Sequence, residues 1–157
     1  MNKPQLLLMI LANLEANLKL LTEAAKSSHH AATHEECQPD NKYDTTALEA
    51  SYLAQGQANR AQEIRLALES YRNLQLQEFT ADAPVRLTAL VTLEADDGEE
   101  RLVFLGPAAG GLMLKVSGVE VVVITPHAPL GQKLLGRNLD DEISINRSKR
   151  YTITRIC

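Results

Sequence analysis

The chain has 157 residues, enough for one domain that buries about 68 to 70% of its unfolded surface or for two small modules. Its 16 Lys+Arg against 20 Asp+Glu give a formal net charge of −4, which excludes sequence-independent, charge-driven nucleic-acid binding as a first reading. Aromatics at 4% and the absence of Trp exclude a base-stacking platform and an aromatic-lined ligand pocket, while 45% hydrophobic and 23% charged residues are the composition of a chain that folds.

At the N-terminus, Lys3 precedes the apolar run Leu6 to Ala12, which imitates the start of a signal peptide. Asn13 and Glu15 end that run without a small-x-small cleavage site, and the run is too short to span a bilayer. The expectation is a cytoplasmic protein with no membrane segment. Two cysteines, Cys37 and Cys157, make no disulfide framework and fit a reducing compartment.

Neither Pro nor Gly interrupts the stretch from Pro4 to Pro39, and only Gly56 interrupts that from Pro39 to Pro84; both are rich in Ala, Leu, Glu and Gln. Leu7, Leu11, Leu14, Leu18, Leu21, Ala25, Ser28 and Ala32 recur at alternating spacings of four and three, one stripe of a long helix. Tyr43, Ala47, Ala50, Ala54, Gln57, Ala61, Ile64, Leu68 and Tyr71 form the matching stripe of a second. Residues 1–78 therefore read as a long antiparallel α-helical hairpin, of coiled-coil type, with helices of about 28 to 30 residues and a length of roughly 40 to 45 Å. A small bundle or a coiled-coil dimer would use the same seam.

The turn between the stripes, residues 33–44, holds one proline, four carboxylates and a single lysine. Glu36, Asp40 and Asp44 are spaced by four, so the hairpin tip carries crowded negative charge of a kind that can share a hard divalent cation held elsewhere. Such polarity also suits a solvated turn. His30, His34 and Cys37 follow a spacing that could offer a transition metal three ligands from one helix face, but no second Cys/His cluster is available to close a structural site.

Beyond Pro84 the period changes to two. Val85, Leu87, Ala89, Val91 and Leu93 alternate with Arg86, Thr88, Leu90, Thr92 and Glu94 as a half-buried strand, and Asp96-Asp97-Gly98 turns the chain into a return strand over 101–105. Gly106 to Gly111 is a loop rather than a phosphate-binding motif, since no Lys-Ser or Lys-Thr follows and no long helix opens there. Strands over 112–116 and 119–124 flank Ser117-Gly118, a short helix over 128–135 ends at Gly136, and strands over 140–145 and 151–156 complete the module. The fold class is α+β: the helical hairpin followed, over 79–157, by a small antiparallel β domain. No nucleophile elbow surrounds any serine.

Within that module, Pro129-Leu130-Gly131, Leu134-Leu135-Gly136-Arg137 and Asp141 stand at the spacings of a family signature that runs Ser-Pro-Leu-Gly, Ala-Leu-Leu-Gly-Lys and Gly-Asp. Over about 20 residues the segment resembles the C-terminal signature of the GreA/GreB bacterial transcription elongation factors, as a divergent member. The order of hairpin and FKBP-like β module is similar to theirs as well. The resemblance implies binding to the bacterial RNA polymerase core at its secondary channel, with the β module docking through Pro129, Leu130, Gly131, Leu134, Leu135, Gly136, Arg137 and Asp141. It further implies that the tip residues Asp40, Glu36, Asp44, Asn41 and Tyr43 act at the polymerase active site. There Asp40 and Glu36 would share the polymerase's Mg²⁺, with no cofactor of the chain's own.

Asp40-Asn41 falls on the family's Glu-Asn, Tyr43-Asp44 reverses its acidic-aromatic pair, and Cys37 replaces its first Asp. The implied function is modulation of elongation, with transcript cleavage stimulated through the tip carboxylates. The chain itself would be no enzyme, would meet nascent RNA only indirectly, and would read no DNA sequence. The alternatives are a channel-binding regulator without cleavage, an FKBP-like prolyl isomerase or chaperone, and an adaptor whose hairpin binds a partner helix.

Overall fold

A computed structural model of the chain describes residues 2–33, 46–80, 82–146 and 149–157. Two compact units are present: Met1–Ile10 with Ser70–Cys157, and Leu11–Glu69. Helix α1 (Lys3–Thr33) and helix α2 (Thr46–Arg72) run through both. The first turns of α1 and the end of α2 belong to the same unit, so the helices are antiparallel.

In the second unit the seam follows the apolar stripes. Leu14, Ala61, Ile64 and Leu68 are buried, as is Ala67, while Leu18, Leu21, Ala25, Ala54 and Gln57 are half-buried. A groove between the helices is lined by Thr22, Ala25 and Lys26 from one side and Ala58, Ala61 and Arg65 from the other, where small side chains leave space. Gly56 does not break α2, because its neighbours are good helix formers and nothing packs against it.

In the first turns of α1 the fully buried residues are Leu6 and Ile10, one step round the helix from the predicted Leu7 and Leu11. There α1 belongs to the unit that contains the sheet, so a second face is buried besides the hairpin seam. The Lys3 ammonium donates to the Gln77 carbonyl and lies 4.6 Å over the Phe79 ring. By length and composition the stretch Lys3–Ser27 is long and apolar enough to cross a membrane, in contrast to the short run ending at Asn13 that the sequence suggests, because the helix continues through Asn13 and Glu15. Only 17% of that stretch is buried within the protein, Leu6, Ile10 and Leu14 among it.

The sheet has six strands in the order β3-β4-β2-β1-β6-β5, with β1 Leu90–Ala95, β2 Glu100–Leu105, β3 Met113–Val116, β4 Val119–Ile124, β5 Glu142–Asn146 and β6 Lys149–Ile156. Helix α3 spans Pro129–Leu134, between β4 and β5. The fold class is α+β as expected, and four of the five strand pairs are antiparallel; β2 and β4 are parallel. The departure follows from connection length. Residues 106–118 separate β2 from β4, about the dozen residues that a parallel crossover needs, and β3 is formed within that crossover.

The strand predicted from Val85 begins only at Leu90, because the preceding backbone spends its hydrogen bonds elsewhere. The Val85 N–H donates to Arg137 O at 2.7 Å, the Gly136 N–H donates to Val85 O at 2.8 Å, and the Thr88 N–H donates to Leu105 O at 2.8 Å. Thr88 is buried with φ +73, a left-handed conformation, and its hydroxyl accepts the Gln77 N–H at 3.0 Å. One face of the sheet, with Val91, Leu93, Val103, Leu105, Tyr151 and Ile153, packs with Leu134 of α3 in a single core. Tyr71, at the end of α2, is fully buried, donates its hydroxyl to Ala108 O at 2.8 Å, and occupies the space beside Gly106, where an added Cβ would meet it at 2.2 Å.

Candidate docking surface

The segment 125–141 builds one exposed corner of the sheet-bearing unit. Thr125 leaves β4, and its carbonyl accepts the Ala128 N–H at 3.0 Å. Ala128 caps α3 with extended backbone, φ −67 and ψ 148, and Pro129 occupies the first helical turn, where a missing N–H costs nothing. The helix then passes so close to its own entry segment that a Cβ on Gly131 would lie 2.0 Å from Thr125 O and 2.9 Å from Thr125 C. Only glycine fits there. Leu134 is fully buried, and the chain escapes the helix through Gly136 at φ +77, the left-handed conformation that favours glycine after a helix end.

The exit is held in place from two directions. Val85 exchanges backbone hydrogen bonds with Gly136 and Arg137, and the Arg137 N–H donates to Leu134 O at 3.0 Å. The Asp141 carboxylate accepts the Asn138 N–H at 2.9 Å, and the Asp141 carbonyl accepts the Ile153 N–H at 3.0 Å. Asp140 adopts φ +66, which its short polar side chain tolerates better than a branched one would.

This geometry sorts the eight residues of the sequence signature. Gly131, Leu134, Gly136 and Asp141 shape the corner itself: one by lacking a side chain, one by burial, one by backbone conformation and one by capping. Leu130 is half-buried against the core. Pro129, Leu135 and Arg137 face outward, with Leu135 40% exposed and Leu139 beside them 37% exposed. The expected tip residues Glu36, Asp40, Asn41, Tyr43 and Asp44, together with His34 and Cys37, lie outside the described residues. His30 is in α1, and nothing of its side chain is described. Among the described residues no group of three or more His, Cys, Asp or Glu side chains could hold a metal ion.

Concavities on the sheet-bearing unit carry little aromatic material. One of about 330 Å³ is lined by Leu90, Thr92, Leu102, Val119, Arg155 and Cys157 among others; a second of about 380 Å³ includes Met113, Val122, Ile124 and Leu130. Phe104 and Tyr151 are buried in the interior, and Phe79 packs on the core with Lys3 and Arg86 over its ring. None of the three lines either concavity.

Sequence reasoning missed an ionic cluster joining the β1–β2 turn to the start of β6. The Lys149 ammonium lies 2.9 Å from Asp97 and also pairs with Glu99, Arg101 lies 3.0 Å from Glu99, and Arg150 reaches Asp96 at 3.5 Å and Glu142 at 3.6 Å. Hydrogen bonding to Lys149 holds the Asp97 and Glu99 carboxyls below the usual carboxylate range, and those carboxylates raise the Lys149 ammonium in turn. Asp97 and Glu99 are exposed and Lys149 lies half-buried at the surface, so solvent screens the attraction. Lys149 and Glu99 are 50 residues apart in sequence, a separation at which no local pattern could have paired them.

No family model matches the chain, and no curated protein sequence matches it. Among solved structures it is similar to the GreA factor homolog 1 (Gfh1) protein of Thermus thermophilus, 18% identical over 94% of each chain with a TM-score of 0.39. It is also similar to a structure of the transcription factor Gfh1, 22% identical over 96% of this chain and 92% of that one at 0.41, and to Thermus aquaticus Gfh1, 21% identical over 92% and 89% at 0.40. Superpositions this loose transfer no residue's role.

Proposed function

We propose that the chain is a Gre-like factor that binds the bacterial RNA polymerase core at its secondary channel and modulates transcription elongation. The observation that carries the reading is the corner at 125–141. Four of the eight residues that match the Gre signature impose its shape: Gly131 under Thr125, the buried Leu134, Gly136 at φ +77 and the capping Asp141. Three residue types at four positions are thus explained by one local geometry, which a chance match in sequence would not require. The antiparallel pair α1 and α2 supplies the hairpin that the reading needs.

In this reading Asp40 and Glu36 share the Mg²⁺ of the polymerase, Asp44, Asn41 and Tyr43 complete the tip, and the chain acts in the cytoplasm with no cofactor and no reaction of its own. RNA is met only inside the polymerase. Cys37 at the first acidic position leaves the tip one carboxylate short of the family pattern.

Two measurements test this. The full chain is expected to be retained by core polymerase in a pull-down, and absence of retention would refute channel binding. In stalled elongation complexes the wild type is expected to stimulate RNA shortening and Asp40→Ala to lose that stimulation. Equal shortening by both would remove Asp40 from the mechanism, and no stimulation by either would leave a channel-binding regulator without cleavage. A prolyl isomerase is disfavoured because the module's three aromatics are committed to the interior or to Lys3 and Arg86.

A further inference from the structure

We infer that the concavity on the sheet face away from α3 is a binding site for a free, apolar peptide of about three residues, held by its two charged ends. A break in strand alternation builds it. Ile153 is buried in the core that contains Leu134, and Ile156, three residues later, packs against the same core. Regular alternation would place Arg155, two residues after Ile153, on that face as well. A bulge prevents this: Arg155 pairs with Thr92 while Ile153 pairs with the next residue, Leu93, which leaves Thr154 extra. Arg155 is thereby turned to the opposite face, as bulges beside binding sites commonly do to a side chain. Cys157 follows it there, exchanging backbone hydrogen bonds with Leu90 at 2.9 Å.

The cavity, of about 330 Å³, crosses the adjacent strands β6, β1, β2 and β4. Leu90, Leu102 and Val119 make its lining apolar, and its two ends carry opposite charge. Arg155 stands on β6, and Glu100 and Glu120 stand on β2 and β4; among the described residues none of the three has an ion-pair partner. Arg101, the other cation of the lining, is taken up by Glu99 at 3.0 Å and lies over the Tyr151 ring. Glu100 also lies directly opposite Glu94 on β1, a like-charge pair that a cationic ligand group would relieve. A simple anion would gain Arg155 but face uncompensated carboxylates, and a simple cation would meet the reverse. A zwitterion with an apolar body between its charges satisfies both ends. From β6 to β2 is two strand spacings, about 10 Å, and three extended residues reach about the same distance. A free tripeptide thus sets its carboxylate in the Arg155 fork and its ammonium at Glu100, with its body over Leu90 and Leu102. An internal segment of a protein lacks both terminal charges.

The test titrates the tripeptide Ala-Val-Ala into the ¹⁵N-labelled full chain, beside its N-acetylated and C-amidated forms. Saturable shifts are expected at the amides of Leu90, Thr92, Leu102 and Arg155, with a dissociation constant below about 1 mM. Each cap removes one charge and should weaken binding about tenfold. Arg155 is exposed, so Arg155→Gln should melt like the wild type. That variant should bind the free peptide about tenfold more weakly and the amidated form as the wild type does, because the amide no longer uses the guanidinium. No saturable shift up to about 10 mM, or equal binding of free and capped peptides, would overturn the site. So would an Arg155→Gln variant that keeps full affinity for the free peptide, or one that loses both forms alike. Binding confined to longer polypeptides would make the trough a protein-docking surface and overturn it too. None of these outcomes depends on whether the chain binds polymerase.

Discussion

Gly131→Ala separates a signature that shapes the fold from one that merely decorates a surface. In an ordinary helix this change stabilises, because glycine is about 0.5–1 kcal/mol worse than alanine in a helix interior. Here the new Cβ would lie 2.0 Å from Thr125 O, 2.9 Å from Thr125 C and 3.3 Å from the Pro126 Cα. All three are backbone atoms, so no side chain can swing aside. Relief requires moving α3, which carries the fully buried Leu134, or moving the 125–126 segment, whose Thr125 carbonyl already accepts from Ala128. Overpacking of this kind costs about 1–3 kcal/mol, and contact with backbone places Gly131→Ala toward the upper end. At about 2–4 °C per kcal/mol for a chain of this size, the thermal midpoint should fall by about 5–10 °C. Differential scanning calorimetry measures it, with the exposed neighbour Gln132→Ala expected to stay within about 1 °C of wild type. A midpoint for Gly131→Ala at or above wild type would refute the close approach, and with it the argument that the signature follows from the corner's geometry.

Leu134→Ala should cost about 2–5 kcal/mol in the same assay, since it empties a fully buried site in the core between α3 and the sheet. Tyr71→Phe leaves Ala108 O without its donor and should cost about 1–3 kcal/mol. Burial raises the Tyr71 hydroxyl above its ordinary value, so its contribution is intact below about pH 10, where the unfolded side chain begins to ionise, and is lost as pH rises toward the folded value. Denaturant melts should therefore show an alkaline loss in the wild type that is smaller in Tyr71→Phe. Lys149→Ala should lower the midpoint slightly in dilute buffer and not at all in about 1 M salt, where the Debye length falls to about 3 Å; a loss that survives salt would contradict a screened surface cluster.

Spacing along the chain determined the helices, the turn positions and most strand positions, because helix and strand periods and glycine punctuation are local physics. Ser117-Gly118, with φ +53 and +84, makes its turn where the pattern of small residues placed it, and Gly136 ends α3 as expected. Only the tertiary structure decided that residues 85–89 leave the ladder to bond residues 136–137 and 105, that β2 and β4 pair in parallel, and that Leu6 and Ile10 are buried in place of Leu7 and Leu11. It likewise divided the signature into residues that shape the corner and residues that face solvent. These outcomes depend on which distant segment meets each backbone group, and a hydrogen bond from Val85 to Arg137, or a carbonyl 2 Å from an absent Cβ, leaves no periodic trace in the residues that make it.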